Sequence, residues 1–200
     1  MKTIKNVICL DHISFDLIMD DKEWFDRPAK NVAVISICSP NEADLSEHWF
    51  KKDCHNSNET SIFNLDIDDI SPFWFENHES YCYDEALDLY LKGDIKHSNR
   101  FFSHFYISGK NKEFVDVLHC MDYEEAFDLA TWIHKIINDE TIDTIYVHCA
   151  AGASRSQGVV RYIVDTYGKK YDIKLNPHNP NNTYNPHVVM MLKRAYKMHI

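Results

Sequence analysis

The sequence predicts an α/β protein: a single domain (1–200) of three layers, with a central, mainly parallel sheet of four or five strands and helices on both faces. Three observations predict it. Short segments rich in β-branched residues recur, such as "TIKNVICL" (3–10) and "VAVISIC" (32–38). Amphipathic segments of helical length alternate with such strands in the second half of the chain. One strand runs into "VHCAAGASRS" (147–156), where tiny residues separate it from a helix. Parallel strands need crossover connections, usually helices, and those helices cover both faces of the sheet.

The first two segments read as buried strands bounded by polar turns. "SIFNLDIDDI" (61–70) is a third strand with an acidic end. Residues 71–120 then interrupt the rhythm as an aromatic-rich insertion, packed on the domain or lying as a lid over a site. Within it, "YDEALDLYLKGD" (83–94) has the pattern of a short amphipathic helix, and "NRFFSHFYIS" (99–108) can pair with "KEFVDVLHC" (112–120) as a hairpin.

The helix expected over 121–140 has a marked start. Asp122 can cap it, and Glu125, three residues on, completes a capping box. Ala126, Leu129, Ala130, Ile133 and Ile137 form its apolar face. A strand follows at 144–148, then a helix with Val160, Ile163, Val164 and Tyr167 on one side. "NPHNPNNTYN" (176–185) is a turn-rich loop. The last helix turns Val188, Met191, Leu192, Ala195 and Tyr196 inward, and Lys193, Arg194 and Lys197 outward.

A formal net charge of −10 argues against stable nucleic-acid binding and against an anionic membrane surface, both of which need a basic face. The N-terminal apolar run is cut by Asp11 and His12, so it does not read as a signal peptide, and no run is long enough to span a bilayer. Six cysteines without a CxxC pattern suit reduced thiols in the cytoplasm. Cys9 and Cys38 fall inside strands and read as small core residues. "DCH" (53–55), "LHC" (118–120) and "VHC" (147–149) lack the tight spacing of metal ligands, so neither a metal nor another cofactor is expected.

The chemistry concentrates in residues 148–156. Small residues at Ala150, Ala151, Gly152, Ala153 and Ser154 let the backbone curl so that successive N–H groups share one hollow at a helix N-terminus, a cradle for a tetrahedral oxyanion. Arg155 can close that cradle with two parallel hydrogen bonds. The helix end and the cation favour the thiolate of Cys149, which would lie beneath the bound phosphorus, placed for in-line attack.

"HCAAGASRS" resembles the H-C-x-x-G-x-x-R-S/T signature of cysteine-dependent protein tyrosine and dual-specificity phosphatases, the dual-specificity branch above all. "AVISICSP", "LDIDDI" and "NPHVVMMLKRAY" extend the likeness to a small bacterial and phage subgroup with an "F-D-D-I" strand end and a late "P-N-x-x-V" helix. Outside 71–120 the resemblance covers most of the chain. It implies a dual-specificity-phosphatase-like fold and a metal-free phosphatase. Cys149 would form a phosphocysteine, Arg155 would hold the phosphoryl group, Ser156 would assist the departing thiolate, and His148 would hold the loop. It also requires a general acid. Asp69 is the favoured candidate and Asp68 the next; Asp116 and Asp122, nearer to Cys149 in sequence, remain open. Gln157 departs from the pattern, which has proline or a small residue there.

The implied substrates are phosphotyrosine proteins, with phosphoserine and phosphothreonine as possible additions. A non-protein ester (an RNA 5′-phosphate, a phosphoinositide or a nucleotide) is the alternative for the same loop. A phosphate-binding module without turnover is opposed by intact Cys149 and Arg155. A rhodanese or arsenate reductase could use a similar loop, but "AGASRS" favours phosphate monoesters.

Overall fold

The structure, a computed structural model, describes residues 4–22, 29–39, 61–69, 92, 105–108, 115–175 and 183–199. Strands β1 (Ile4–Asp11), β2 (Val32–Cys38) and β3 (Ile62–Asp66) come first, with helix α1 (His12–Asp21) between β1 and β2. Then come β4 (Phe105–Ser108), β5 (Val115–Leu118), α2 (Tyr123–Asn138), β6 (Thr144–Cys149), α3 (Arg155–Tyr167), β7 (Asp172–Leu175) and α4 (Pro186–His199). The protein is α/β, with a five-stranded sheet in the order β3-β2-β6-β1-β7. All of its pairings are parallel, with Asp11 opposite Cys149 and Ser36 opposite His148. β4 and β5 form the separate antiparallel hairpin the sequence predicts, with Phe105 opposite Leu118.

Side chains alternate between the two faces of a strand, and each face has its own core. Val7, Cys9, Ala33, Ile35, Ile37, Ile145, Val147 and Cys149 pack with the apolar faces of α2, α3 and α4. Leu10, Val32 and Val34 pack with Phe15 and Met19 of α1, joined by Ile8 and Tyr146. The three expected layers are therefore present.

Asp122 and Glu125 form the capping box at the start of α2, each accepting the other's backbone N–H at 2.9 Å. Two elements, α1 and β7, were not anticipated. α1 is capped by Asp11, which accepts the Ser14 N–H at 2.8 Å. Its apolar residues lie on both sides, Phe15 and Met19 buried but Ile13 72% and Leu17 65% exposed, so they make no single stripe. β7 is short, alternates Asp172 and Lys174 with Ile173 and Leu175, and stands at the sheet edge, where charged residues are usual. α3 also begins before its apolar pattern, directly at Arg155, five residues ahead of Val160.

No helix among the described residues is long and apolar enough to cross a membrane. The expected helix over 83–94 lies outside the described residues apart from Lys92, as do the aromatics at 73–75 and 101–104 and the loop over 176–182.

Candidate active site

β6 delivers Cys149 and α3 starts at Arg155, so residues 150–154 make the whole turn. The scaffold grips this loop by its carbonyls. The Ala150 carbonyl accepts His12 N–H at 3.2 Å. Those of Gly152 and Ala153 accept Gln157 Nε2 at 3.1 Å and Thr183 Oγ1 at 3.3 Å. The Ser154 carbonyl accepts the Gly158 and Asn185 N–H groups at 2.9 and 3.0 Å. A trans peptide points its N–H opposite to its C=O. Tying down those carbonyls therefore turns the N–H groups of Ala151, Ala153, Ser154 and Arg155 away from the gripping residues. Gln157, the departure from the family pattern, is one of the grips.

Gly152 cannot be replaced without strain. Its φ is +63°, and a Cβ there would stand 2.6 Å from the backbone nitrogen of Asp11. The loop thus lies directly on the β1–α1 junction, and only glycine fits both the torsion and the approach.

Cys149, Arg155 and Ser156 are all buried. Arg155 Nη1 donates to Ser39 Oγ and to the Ile67 carbonyl, both at 2.8 Å, at the carboxyl ends of β2 and β3. Ser156 Oγ lies 3.1 Å from Cys149 Sγ. It also receives the Cys9 thiol at 3.2 Å. Burial is the main cause that pushes the Cys9 thiol up to about 12, so Cys9 is a protonated donor at neutral pH. Asp11 is in register with Cys149, which puts Cys9 two residues back on the same face of the sheet.

The candidate acids separate sharply. Asp69 is exposed, and its Oδ1 accepts Ser154 Oγ at 2.5 Å and Asn185 Nδ2 at 3.0 Å, so it sits against the Cys149 loop. Asp68 is buried, and its Oδ2 accepts the His119 N–H at 2.7 Å while its own N–H donates to the His119 carbonyl at 2.7 Å. That pair ties the end of β3 to the residue after β5. Asp122 caps α2, and Asp116 stands on β5 opposite Ile107. His148, next to Cys149, faces the other core and stacks on Phe15, with ring centroids 4.0 Å apart and planes 12° from parallel. It is a prop beneath the loop on the α1 side.

Sequence reasoning missed three residues at this site. Cys9 carried only the signal of a core cysteine, Ser39 lay in "AVISICSP" without a role, and Asn185 was read as the end of a loop and the start of "NPHVVMMLKRAY". Among the described residues no group of three or more His, Cys, Asp or Glu side chains is placed to hold a metal.

No protein-family model and no curated relative matches the chain. Among solved structures it is similar to the crystal structure of human tyrosine phosphatase-like serine/threonine/tyrosine-interacting protein, over 96% of this chain and 92% of that one. At 13% identity and a TM-score of 0.34 this is a distant likeness to a phosphatase-like protein.

Proposed function

We propose that this protein hydrolyses phosphate monoesters through a phosphocysteine on Cys149, with phosphotyrosine proteins as its first substrate class. One observation carries the reading: the turn between Cys149 and Arg155 brings a thiol, an anchored guanidinium, a hydroxyl 3.1 Å from the sulfur and an acid at the loop edge into one site. Ser39 and Ile67 fix one nitrogen of Arg155, which orients the Nε–Nη2 edge as the two-pronged contact for a phosphoryl group. The loop N–H groups complete the cradle for the charge on the three non-bridging oxygens.

In the first step Cys149 Sγ attacks phosphorus, the P–O ester bond breaks, and Asp69 gives its proton to the leaving oxygen. In the second, Asp69 takes a proton from water, the water oxygen attacks phosphorus, and the S–P bond breaks. The sulfur then leaves as a thiolate and needs a donor. A hydroxyl has one hydrogen and two lone pairs. The single hydrogen of the Cys9 thiol has two acceptors, the Gly152 carbonyl at 3.6 Å and Ser156 Oγ at 3.2 Å; given to the nearer Ser156, it leaves the Ser156 hydrogen to serve Cys149.

The test is a panel of p-nitrophenyl phosphate, phosphotyrosine, phosphoserine and phosphothreonine peptides, inositides and 5′-phosphorylated RNA, with wild type and Cys149→Ser. The expected result is turnover of aryl phosphate and phosphotyrosine peptide by wild type, none by Cys149→Ser, and retained phosphate binding by the variant. Turnover surviving in Cys149→Ser overturns the reading. Turnover confined to inositides or RNA keeps the chemistry and replaces the substrate class.

A further inference from the structure

We infer that Asn185 is a positioning residue for proton transfer, which together with Ser154 occupies Oδ1 of Asp69 so that the transferable proton is carried on Oδ2. The inference rests on the reading of Asp69 as the general acid and adds a residue to it.

Asn185 lies immediately before α4 and is 1% exposed. Its Oδ1 accepts the N–H groups of His187 at 3.0 Å and Val188 at 3.2 Å, capping the helix. Backbone N–H groups can be met only by the amide oxygen, so the orientation of the amide is fixed. Its Nδ2 is then the end at Asp69 Oδ1, 3.0 Å away. The backbone N–H of the same residue holds the Ser154 carbonyl at 3.0 Å. Asn185 therefore joins three things that must keep register: the start of α4, the Cys149 loop and the acid.

Ser154 Oγ donates to the same Oδ1 at 2.5 Å. An oxygen already accepting two hydrogens is the unfavourable site for a third; a proton placed there would face both donors. Among the described residues nothing donates to Oδ2. The two donors thus select which oxygen bears the proton and also fix the rotation of the carboxyl group. A proton on the wrong oxygen, or a freely turning carboxyl, delivers it to the leaving group less often. The substrate still binds, because neither contact involves Arg155 or Cys149.

The signature to seek is a defect that depends on the leaving group. Asn185→Ser keeps a helix cap and removes the donor to Asp69. Its kcat is expected to fall on the order of tenfold for phenyl phosphate, as for loss of one hydrogen bond to a charged group, with KM unchanged. For dinitrophenyl phosphate, whose leaving group departs without a proton, kcat should stay at the wild-type value. Asn185→Asp, which also caps, is the second variant should Asn185→Ser fold poorly; it too should lose turnover on phenyl phosphate alone. In an Asp69→Asn background neither change should cost anything further. Equal loss on both esters would reduce Asn185 to a structural cap and overturn the inference, as would no loss on either. Should Asp69→Asn itself show no dependence on leaving group, the assignment of Asp69 as the acid fails first. If Asp69→Asn shows it and Asn185→Ser does not, only the role of Asn185 falls.

Discussion

His148 and Cys149 are consecutive, yet β6 turns them into two different environments. On the His148 face stacking and apolar packing prevail: the imidazole stacks on Phe15, which packs with Leu10, Met19, Val32 and Val34. On the Cys149 face the residues nearest the loop are joined by directed hydrogen bonds, Arg155 to Ser39 and Ile67, Ser156 to Cys9 and Cys149, and Ser154 and Asn185 to Asp69. Stacking fixes height and tolerates small rotations. Hydrogen bonds fix direction and fail when a donor is removed. One face should therefore govern whether the loop exists, and the other what the loop can do.

The largest expected effect lies on the stacked face. Phe15 is fully buried, and Phe15→Ala removes the surface on which His148 rests. We expect a loss of about 3–5 kcal/mol of stability, read by denaturant unfolding. The folded fraction, assayed well below its melting temperature, should keep kcat within about twofold, since no hydrogen bond to the reacting groups is touched. A collapse of kcat with stability intact would erase the distinction between the faces.

Arg155→Lys is the mirror experiment. The charge remains, but an ammonium cannot make the planar two-pronged contact. A fall in kcat of about 10²–10³, the loss typical for an electrostatic donor in a transition state, is expected with phosphotyrosine peptide. Ser39→Ala is milder. It removes one anchor of Nη1 and leaves the Ile67 carbonyl, so a loss of about tenfold is expected. It should appear in inhibition by inorganic phosphate as well as in kcat, because a swinging guanidinium weakens the bound state too. A Ser39→Ala variant with normal phosphate affinity would mean that the Ser39 contact does not orient Arg155.

How much of this was legible beforehand follows the same division. The loop was legible because its residues are contiguous: a thiol, small residues, Arg155 and Ser156 within eight positions. Asp69 was favoured as a candidate because the strand end carries an acidic pair in the "LDIDDI" pattern, but the spacing alone does not separate it from Asp68. The separation comes from His119 taking one carboxylate and Asn185 the other. Asn185 is 116 residues from Asp69, and Cys9 is 147 from Ser156. The first pairing joins the end of β3 to the start of α4, the second arises because β1 lies beside β6, and no short pattern announces either. α1 stayed hidden for another reason: Ile13 and Leu17 put apolar residues on its exposed side and blur the period on which a helix is recognised.

The smallest effect is expected at Cys9, and it tests whether a core residue can act through a neighbour. Cys9→Ala deletes the donor to Ser156 and lets that hydroxyl turn away from Cys149. Breakdown of the phosphocysteine should slow by about threefold to tenfold, the worth of one neutral hydrogen bond. The intermediate should then accumulate as a burst in rapid-quench experiments. Cys9→Ser supplies another hydroxyl donor and should restore breakdown. The two variants also separate by pH. In the folded protein the Cys9 thiol is pushed up to about 12 from an ordinary value of 9.0. The native state then keeps a proton that the unfolded chain releases, so stability falls as pH rises from about 9 toward 12 and is unaffected by this group below that window. Both variants lack the thiol and should flatten that alkaline loss, while only Cys9→Ala should show the burst. A burst in both variants, or in neither, would return Cys9 to the core as packing alone.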